Sequence, residues 1–315
     1  MNVVTRRDWL AASTALSGAA LLGFLGESQA SSATAHAAEP FRFCLNTSTI
    51  SGQKLTLVEE LEIAAKAGYA AVEPWLRELD AHVESGKTLK DLGKKIADLG
   101  LAIPSAIGFA EWVVDDDAKR AKGVEQMKRD MEKVKAIGGT RIAAPPVGAT
   151  DQTTLDLRKA AERYREILEI GANIGVVPQL EVWGFSKSIS RLGEAAFVAI
   201  EANHADACIL ADVYHLYRGG SNFTGIKLLN GSSLHVFHMN DYPKHPPRSE
   251  INDSQRVFPG DGIAPLSALL GDLKTIGYNG YLSLELFNRD YWKLDAAEVA
   301  KEGIAKMKAA VASVK

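Results

Sequence analysis

Apolar runs that each end in a polar residue recur through the second half of this 315-residue chain, and they constrain its fold more than any other feature. Short apolar runs of this kind are typical of buried β-strands. The intervals between them leave room for one helix and its loops, as a repeating βα architecture requires. The polar residues near the ends of these runs are Glu181, Asp212, His238 and Glu285.

The same alternation begins at Phe41 and continues without a proline- or serine-rich linker. Four strand-like and three helix-like runs precede Gln152. Five more helices are predicted to alternate with the later strands, at residues 154–174, 192–202, 223–229, 266–276 and 295–310. Glycines such as Gly68 and Gly175 follow helical runs, where a left-handed cap residue is favoured. Eight strands and eight helices predict an α/β fold, a (β/α)8 TIM barrel, with a doubly wound open sheet as the alternative.

The four polar strand-end residues suggest a metal site. Barrel active sites lie at the carboxyl ends of the strands, so these side chains should converge on one point. Three carboxylates and one imidazole, without a thiolate, favour Mn²⁺ or Mg²⁺, and Co²⁺ or Zn²⁺ also suit this ligand set. The alternative is a group of satisfied structural ion pairs.

The first 38 residues are predicted to be a twin-arginine signal peptide with a short linker, followed by one barrel domain over residues 39–315. Arg6 and Arg7 precede a modestly apolar stretch rich in small residues, and cleavage is expected after Ala30 or within residues 35–38. This predicts recognition by the twin-arginine export machinery and a periplasmic or exported protein. A disordered tail or a membrane anchor is the alternative, although glycines interrupt the apolar stretch.

Charge and cysteine content narrow the possible partners. A net charge of −3 and a sequence pI near 6.2, without a local basic run, argue against a nucleic-acid partner and favour a small molecule. Cys44 and Cys208 are interpreted as buried thiols, because the strands that carry them would not be neighbours in an eight-stranded barrel.

Several motifs together resemble the xylose-isomerase-like sugar isomerase/epimerase superfamily, and its inosose (2-keto-myo-inositol) isomerase branch in particular. They are LNTST at 45–49, LE at 180–181, DVYH at 212–215, HMND at 238–241, DSQRVFPGDG at 253–262 and SLELF at 283–287. The resemblance implies one divalent metal bound by Glu181, Asp212, His238 and Glu285. It also implies that Glu181 and Glu285 flank a ketose and transfer its proton, and it makes a homo-oligomer reasonable.

Further residues are candidates for substrate contacts. The resemblance assigns His215 to a substrate hydroxyl, from a loop over the pocket mouth; a surface histidine is the alternative. Arg256 is expected to hold substrate oxygens or to form a structural salt bridge. Lys187 is placed within reach of the pocket, and Asp241 is expected to orient His238 or Arg256. A sugar-facing wall, or ordinary rim packing, is expected from Glu73, Trp75, Glu111, Trp112 and Trp183.

The predicted reaction is isomerisation or epimerisation of a sugar or inosose through an enediolate that the metal stabilises. A neutral sugar or cyclic polyol is the expected substrate, because the last two units contain no glycine-rich phosphate cradle. A metal-dependent lyase or dehydratase acting on a 3-keto-glycoside or keto-polyol remains the main alternative. A non-catalytic sugar-binding protein and a metal-dependent endonuclease are weaker ones.

Overall fold

The computed structural model describes residues 41–153 and 155–314. Parallel strands and helices alternate over this range. The strands are β1 (Arg42–Asn46), β2 (Ala71–Glu73), β3 (Arg141–Ala144), β4 (Val177–Glu181), β5 (Ile209–Asp212), β6 (Leu234–Met239) and β7 (Tyr281–Leu284). The helices are α1 (Leu57–Ala67), α2 (Leu76–Glu84), α3 (Leu89–Asp98), α4 (Asp117–Ala136), α5 (Leu157–Ile174), α6 (Leu192–Glu201), α7 (Val213–Gly219), α8 (Leu266–Thr275) and α9 (Ala296–Ala312). All of them belong to one compact unit.

The strands form a barrel that an irregular segment closes. Their order is β2-β1-β7-β6-β5-β4-β3, with every pair parallel. Residues 101–107 fill the position between β2 and β3: Val72 N–H donates to Ala102 O (3.0 Å), and Ala143 N–H donates to Ala106 O (2.8 Å). This segment stays irregular partly because Pro104 lacks an N–H for ladder pairing. The predicted TIM barrel is therefore confirmed, although the described residues contain seven strands and this irregular segment takes the place of the predicted third of eight.

Helix ends are specified locally. At the start of α1, Thr56 and Glu59 form a capping box in which each side chain accepts the other's backbone N–H. Gly68 ends α1 and Gly175 ends α5, both with positive φ, as predicted from their positions after the helical runs. Buried apolar residues of the helices then pack against the outside of the strands in one large core.

Besides the irregular segment at residues 101–107, which was predicted as a strand, three helical elements differ from the sequence expectation. The predicted helix at 223–229 is a 3-10 helix, Phe223–Leu228. Helices α2 and α7 were not predicted, because both start directly after a strand end and are too short for a helical period to be recognised. Helix α7 exists because the Asp212 carboxylate accepts the His215 N–H and caps its first turn.

Cys44 and Cys208 are buried free thiols, as expected. The predicted signal peptide and its cleavage sites lie outside the described residues. Among the helices of the described part of the chain, none combines the length and apolar character that crossing a membrane requires.

Candidate active site

The predicted site residues converge because they end neighbouring strands. Asp212 ends β5 and is paired in register with His238 of β6, which is paired with Ser283 of β7; Glu285 lies two residues beyond Ser283. Glu181 ends β4 but is paired with Leu210, two residues before Asp212. The carboxyl ends of the strands thus bring all four side chains to one end of the barrel, with Glu181 offset along the strand direction.

Asp212, His238 and Glu285 form the close group. One ligand atom from each lies within 4.8 Å of the others, and all three residues are buried. His238 Nδ1 lies 3.1 Å from Glu285 Oε2 and 3.6 Å from Asp212 Oδ2, yet it has no hydrogen-bond partner. A buried imidazole nitrogen without a partner, facing two carboxylates, fits a divalent cation with oxygen and nitrogen ligands.

Glu181 lines the same cavity but is not part of that close group. Its side chain is 3% exposed, and its Oε2 has no hydrogen-bond partner. Burial raises the pKa of Glu181 to about 8; the charge of His238 opposes this rise, and that of Glu285 adds to it. A carboxyl group whose pKa lies near neutrality, with a free oxygen in a cavity, suits proton transfer.

His238 is oriented from behind by Glu73. His238 Nε2 lies 2.9 Å from Glu73 Oε2, which also accepts hydrogen bonds from Asn46 Nδ2 (3.0 Å) and Ser283 Oγ (2.8 Å). Burial alone would lower the pKa of His238, but the charges of Glu285 and Glu73 outweigh it and raise that pKa well above its ordinary value. Carboxylate contact at Nε2 directs Nδ1 toward the ligand group.

Asp212 combines two roles. Its Oδ1 caps α7 through the His215 N–H (2.8 Å), while its Oδ2 accepts from Asn240 Nδ2 (3.1 Å) and Arg256 Nη1 (2.9 Å). Burial tends to raise the pKa of Asp212, but the positive charge of Arg256 and the hydrogen bond and charge of His238 outweigh it, so the pKa lies below its ordinary value. Asp212 therefore stays ionised as a ligand must.

Arg256 is a buried part of the site. It is 1% exposed, and Nη1 donates both to Asp212 Oδ2 and to Glu285 Oε2 (2.8 Å). Nη2 donates to Asp253 and lies 3.1 Å from His215 Nε2. The guanidinium also lies over the Tyr214 ring, 4.4 Å from its centroid. Arg256 therefore forms the structural ion pairs that were one of the two expectations. It also lines the cavity, and its contact with substrate oxygens stays a prediction.

His215 occupies a different place from the one expected. It lies in the first turn of α7, not on a loop, and is 3% exposed. The Gly184 N–H donates to its Nδ1 (3.2 Å), and Arg256 Nη2 lies 3.1 Å from its Nε2, so a donor faces each ring nitrogen. Burial lowers the pKa of His215, which favours the neutral form.

A cavity of about 280 Å³ opens above these groups. Polar side chains of Glu181, His215, Asp253, Arg256 and Glu285 line one part of it. The other part is an aromatic collar, in which neighbouring ring centroids are 5.0–6.1 Å apart. The collar consists of Phe287, Trp75, Phe109, Trp183 and Phe185.

Other residues singled out in the sequence lie elsewhere. Lys187 is 54% exposed and its Nζ lies 3.5 Å from Asp151 Oδ1, away from the cavity lining, so a substrate contact stays a prediction. The expectation that Asp241 orients His238 or Arg256 is wrong. Its carboxylate instead accepts backbone N–H groups of Tyr242, Gly260, Gly262 and Ala264 and fixes the loop after β6.

Part of the wall that was expected to face a sugar lines the cavity. Trp75 and Trp183 belong to it, whereas Trp112 is fully buried and its Nε1 donates to Pro145 O (2.9 Å). Glu73 lies behind His238, and Glu111 does not contribute to the cavity lining.

Sequence reasoning assigned no role to Asn46, Asn240, Ser283 or Asp253. Asn46 donates to Glu73 and to Glu285 Oε1 (3.2 Å), and Asn240 donates to Asp212. Asn46 ends β1 and Asn240 follows β6 directly. Their position as polar residues at strand ends, which selected the candidate ligands, could have identified them as well.

A family model described as a xylose isomerase-like TIM barrel matches residues 61–310. The chain belongs to this family. An inosose isomerase of Bacillus velezensis is 29% identical over 267 residues, covering 82% of this chain and 93% of the relative. A 3-dehydroshikimate dehydratase of Pseudomonas aeruginosa is 26% identical over 83% of this chain but only 40% of that protein.

Two more similarities bear on the site. A 3-dehydro-D-guloside 4-epimerase of Escherichia coli is 23% identical, covering 62% of this chain and 76% of the relative. Among solved structures, an IolI protein with a bound zinc atom has a TM-score of 0.81 and 23% identity, covering 87% of this chain and 99% of that one. At that identity the structural match shows the fold alone.

Proposed function

We propose that this protein is a metal-dependent isomerase or epimerase that moves a proton next to the carbonyl of a neutral sugar or cyclic polyol. The observation that carries the proposal is the arrangement of Glu181 and Glu285 on one buried cavity, together with the His238 nitrogen that lacks a partner. The inosose isomerase and epimerase relatives support this class of reaction.

The metal would be held by Asp212, His238 and Glu285, with Glu181 completing the set. Mn²⁺ or Mg²⁺ suits three carboxylates, and Co²⁺ or Zn²⁺ suits the added imidazole. When bound, such an ion neutralises the negative charge that develops on the substrate oxygens after proton removal. The zinc atom bound by the similar IolI protein supports a divalent ion of this group.

The chain's own residues would transfer and direct the proton. Glu181 has an Oε2 without a hydrogen-bond partner on the cavity, and this oxygen would give or take the proton. Glu285 is the second proton-transfer residue; it follows β7, whereas Glu181 ends β4, so the two glutamates reach the cavity from strands that are not neighbours. Arg256 and His215 would hold substrate oxygens and so fix which carbon faces the glutamates.

A lyase is the second candidate, and His215 supports it. His215 lines the cavity, where an imidazole would serve as the acid for a leaving hydroxyl or alkoxide. Two relatives from Pseudomonas species are 3-dehydroshikimate dehydratases, and dehydration is a reaction of that class.

Both reactions start with proton removal, so the products distinguish them. The metal-loaded protein is incubated in D2O with inososes, free ketoses and 3-keto-glycosides, and the products are analysed by mass. Deuterium in an isobaric product supports an isomerase or epimerase, whereas loss of water or of an aglycone supports the lyase. Absence of exchange with every substrate in the panel would contradict both.

We also propose that the protein is exported by the twin-arginine pathway. Arg6 and Arg7 followed by the small-residue stretch support this proposal. The test is the cellular distribution of the full chain and of a variant with both arginines changed to lysine. Retention of the variant in the cytoplasm, with the unchanged chain in the periplasm, is the expected outcome; identical distribution would contradict it.

A further inference from the structure

The aromatic collar extends from the buried site to the protein surface. Trp75, at its inner end, is 9% exposed, and its Nε1 donates to Asn46 Oδ1 (2.9 Å). At the outer end, Phe109 is 38% exposed and Phe185 is 43% exposed. The rings between these ends contact one another in sequence, so the collar forms one continuous apolar surface.

The outer rings come from two different loops. Phe109 follows the segment that closes the barrel, whereas Trp183 and Phe185 follow β4, directly after Glu181. A single exposed aromatic side chain on a protein surface needs no explanation, but adjoining aromatic rings at the mouth of a functional cavity indicate a binding surface. Trp183 lies two residues after Glu181, and both side chains line the same cavity.

The polar groups of the cavity are confined to its inner part. Glu181, His215, Arg256 and Glu285 can bind the oxygens of a keto-sugar ring. The phenylalanine side chains of the collar carry no hydrogen-bonding group. Hydroxyl groups placed against them would lose water without gaining a partner, which costs free energy. The outer part therefore favours the flat, apolar face of a ring.

We propose that the collar, at Phe109, Trp183 and Phe185, is a second subsite that binds a ring attached to the keto-sugar, so that the substrate class is a glycoside and not a free monocyclic polyol. This inference rests on the proposed function of the inner site. The sugar ring carrying the carbonyl lies at the glutamates, and its substituent, an aromatic aglycone or the C–H face of another sugar ring, stacks on the collar.

The test compares methyl and phenyl 3-keto-β-D-glucosides as substrates, and the unoxidised methyl and phenyl β-D-glucosides as ligands. The unoxidised pair has no proton next to a carbonyl and does not react, so calorimetry and tryptophan fluorescence measure binding alone. The phenyl compound is expected to bind about 3- to 10-fold more tightly than the methyl compound, because its ring gains one aromatic contact with the collar that the methyl group cannot make.

Phe109→Ala and Phe185→Ala are expected to reduce this phenyl-to-methyl ratio to about 1 in binding and in kcat/KM. Phe185→Tyr should restore most of it, because the ring is kept. Leu228→Ala is the matched control, since Leu228 is 90% exposed and lies outside the collar.

The outcomes separate the subsite from the proposed function. If no keto compound reacts but the binding ratio depends on the phenylalanines, the subsite is supported and the proposed function fails. If free inosose or ketose is converted while phenyl and methyl glycosides behave alike, the function is supported and the subsite is overturned. An unchanged ratio in both alanine variants would also overturn it.

Discussion

His238 Nε2 lies 2.9 Å from Glu73 Oε2, and both side chains are completely buried. This contact holds the imidazole ring with Nδ1 toward Asp212 and Glu285. Burial alone would raise the pKa of Glu73, but His238 and the donors Ser283 and Asn46 outweigh it and lower that pKa. Glu73 is therefore an ionised partner that positions a candidate metal ligand.

Glu73→Gln should weaken metal binding about 10- to 100-fold, the usual effect of removing a carboxylate behind a ligating histidine. The reason is that a neutral amide holds the imidazole less firmly and makes Nδ1 less basic. Calorimetric titration with Mn²⁺ measures the change. Glu84→Gln, on the exposed end of α2, is the control; equal affinities in all three proteins would show that Glu73 does not position His238.

Arg256→Gln should destabilise the metal-free protein by about 3 kcal/mol, because it leaves the buried carboxylates of Asp212 and Glu285 without their positive partner. A divalent cation supplies that charge, so Mn²⁺ should recover part of the loss. Urea unfolding with and without Mn²⁺ measures both effects. Arg158→Gln, which removes a largely exposed ion pair with Glu201, should cost less than about 1 kcal/mol. Equal destabilisation by the two substitutions would show that the buried pairs of Arg256 do not stabilise the metal-free site.

Glu60 should make stability depend on pH. It is 2% exposed on α1, its Oε2 has no partner, and burial, aided by the charge of Glu78, raises its pKa to about 9. Between its ordinary pKa and about 9, the folded chain keeps a proton that the unfolded chain has lost. The free energy of unfolding should therefore fall as pH rises through this range, by at most about 1.4 kcal/mol per pH unit.

Glu60→Gln should remove this contribution and flatten the decline between pH 6 and 9. Denaturant unfolding of both proteins across that range measures the difference in slope. Glu84→Gln again serves as the control and should retain the wild-type slope. A Glu60→Gln curve parallel to the wild type would show that Glu60 does not hold the proton.

Gly184→Ala should damage the site through His215. An added Cβ would lie 2.2 Å from His215 O and 2.6 Å from the Gly219 N, both backbone atoms that cannot move alone. The loop would shift, and the Gly184 N–H would no longer bond to His215 Nδ1. We expect kcat to fall at least about tenfold and stability to fall by about 1–3 kcal/mol.

Metal content should stay near the wild-type value in this variant, because the three atoms nearest to the added Cβ belong to His215, Gly219 and Arg218, none of them a candidate ligand. Gly193→Ala is the matched control, since nothing lies within 4 Å of the added Cβ. Wild-type kcat in Gly184→Ala would contradict the role given to the His215 position.

The sequence predicted the barrel and the convergence of the candidate ligands because both follow from one rule, the polar residue at the end of each apolar strand. The same rule did not reveal which residue contacts which. Glu73 was expected in the sugar-facing wall, but the barrel's closure places it behind His238. Asp241 was expected beside His238, yet backbone N–H groups of its own loop bind it. Such contacts depend on loop paths and strand register, which residue patterns do not specify.

The Asp212 side chain gives another example. A strand-end aspartate is recognisable as a candidate ligand, but its capping of α7 moves His215 from the expected loop into a buried helical turn. Likewise, Phe109 and Phe185 lie in irregular segments without a periodic pattern, so their approach to Trp183 could be seen only in three dimensions.

Metal content and turnover of Glu285→Gln test the proposed site more directly than any other measurement. Wild-type protein should bind about one Mn²⁺ per chain and exchange substrate hydrogen with D2O. Glu285→Gln should lose both while circular dichroism still shows the folded barrel, and Glu201→Gln on the surface should lose neither. If the folded Glu285→Gln variant keeps full metal content and the full exchange rate, Glu285 is neither a ligand nor a proton-transfer residue, and the proposed metal-dependent proton transfer at this site is wrong.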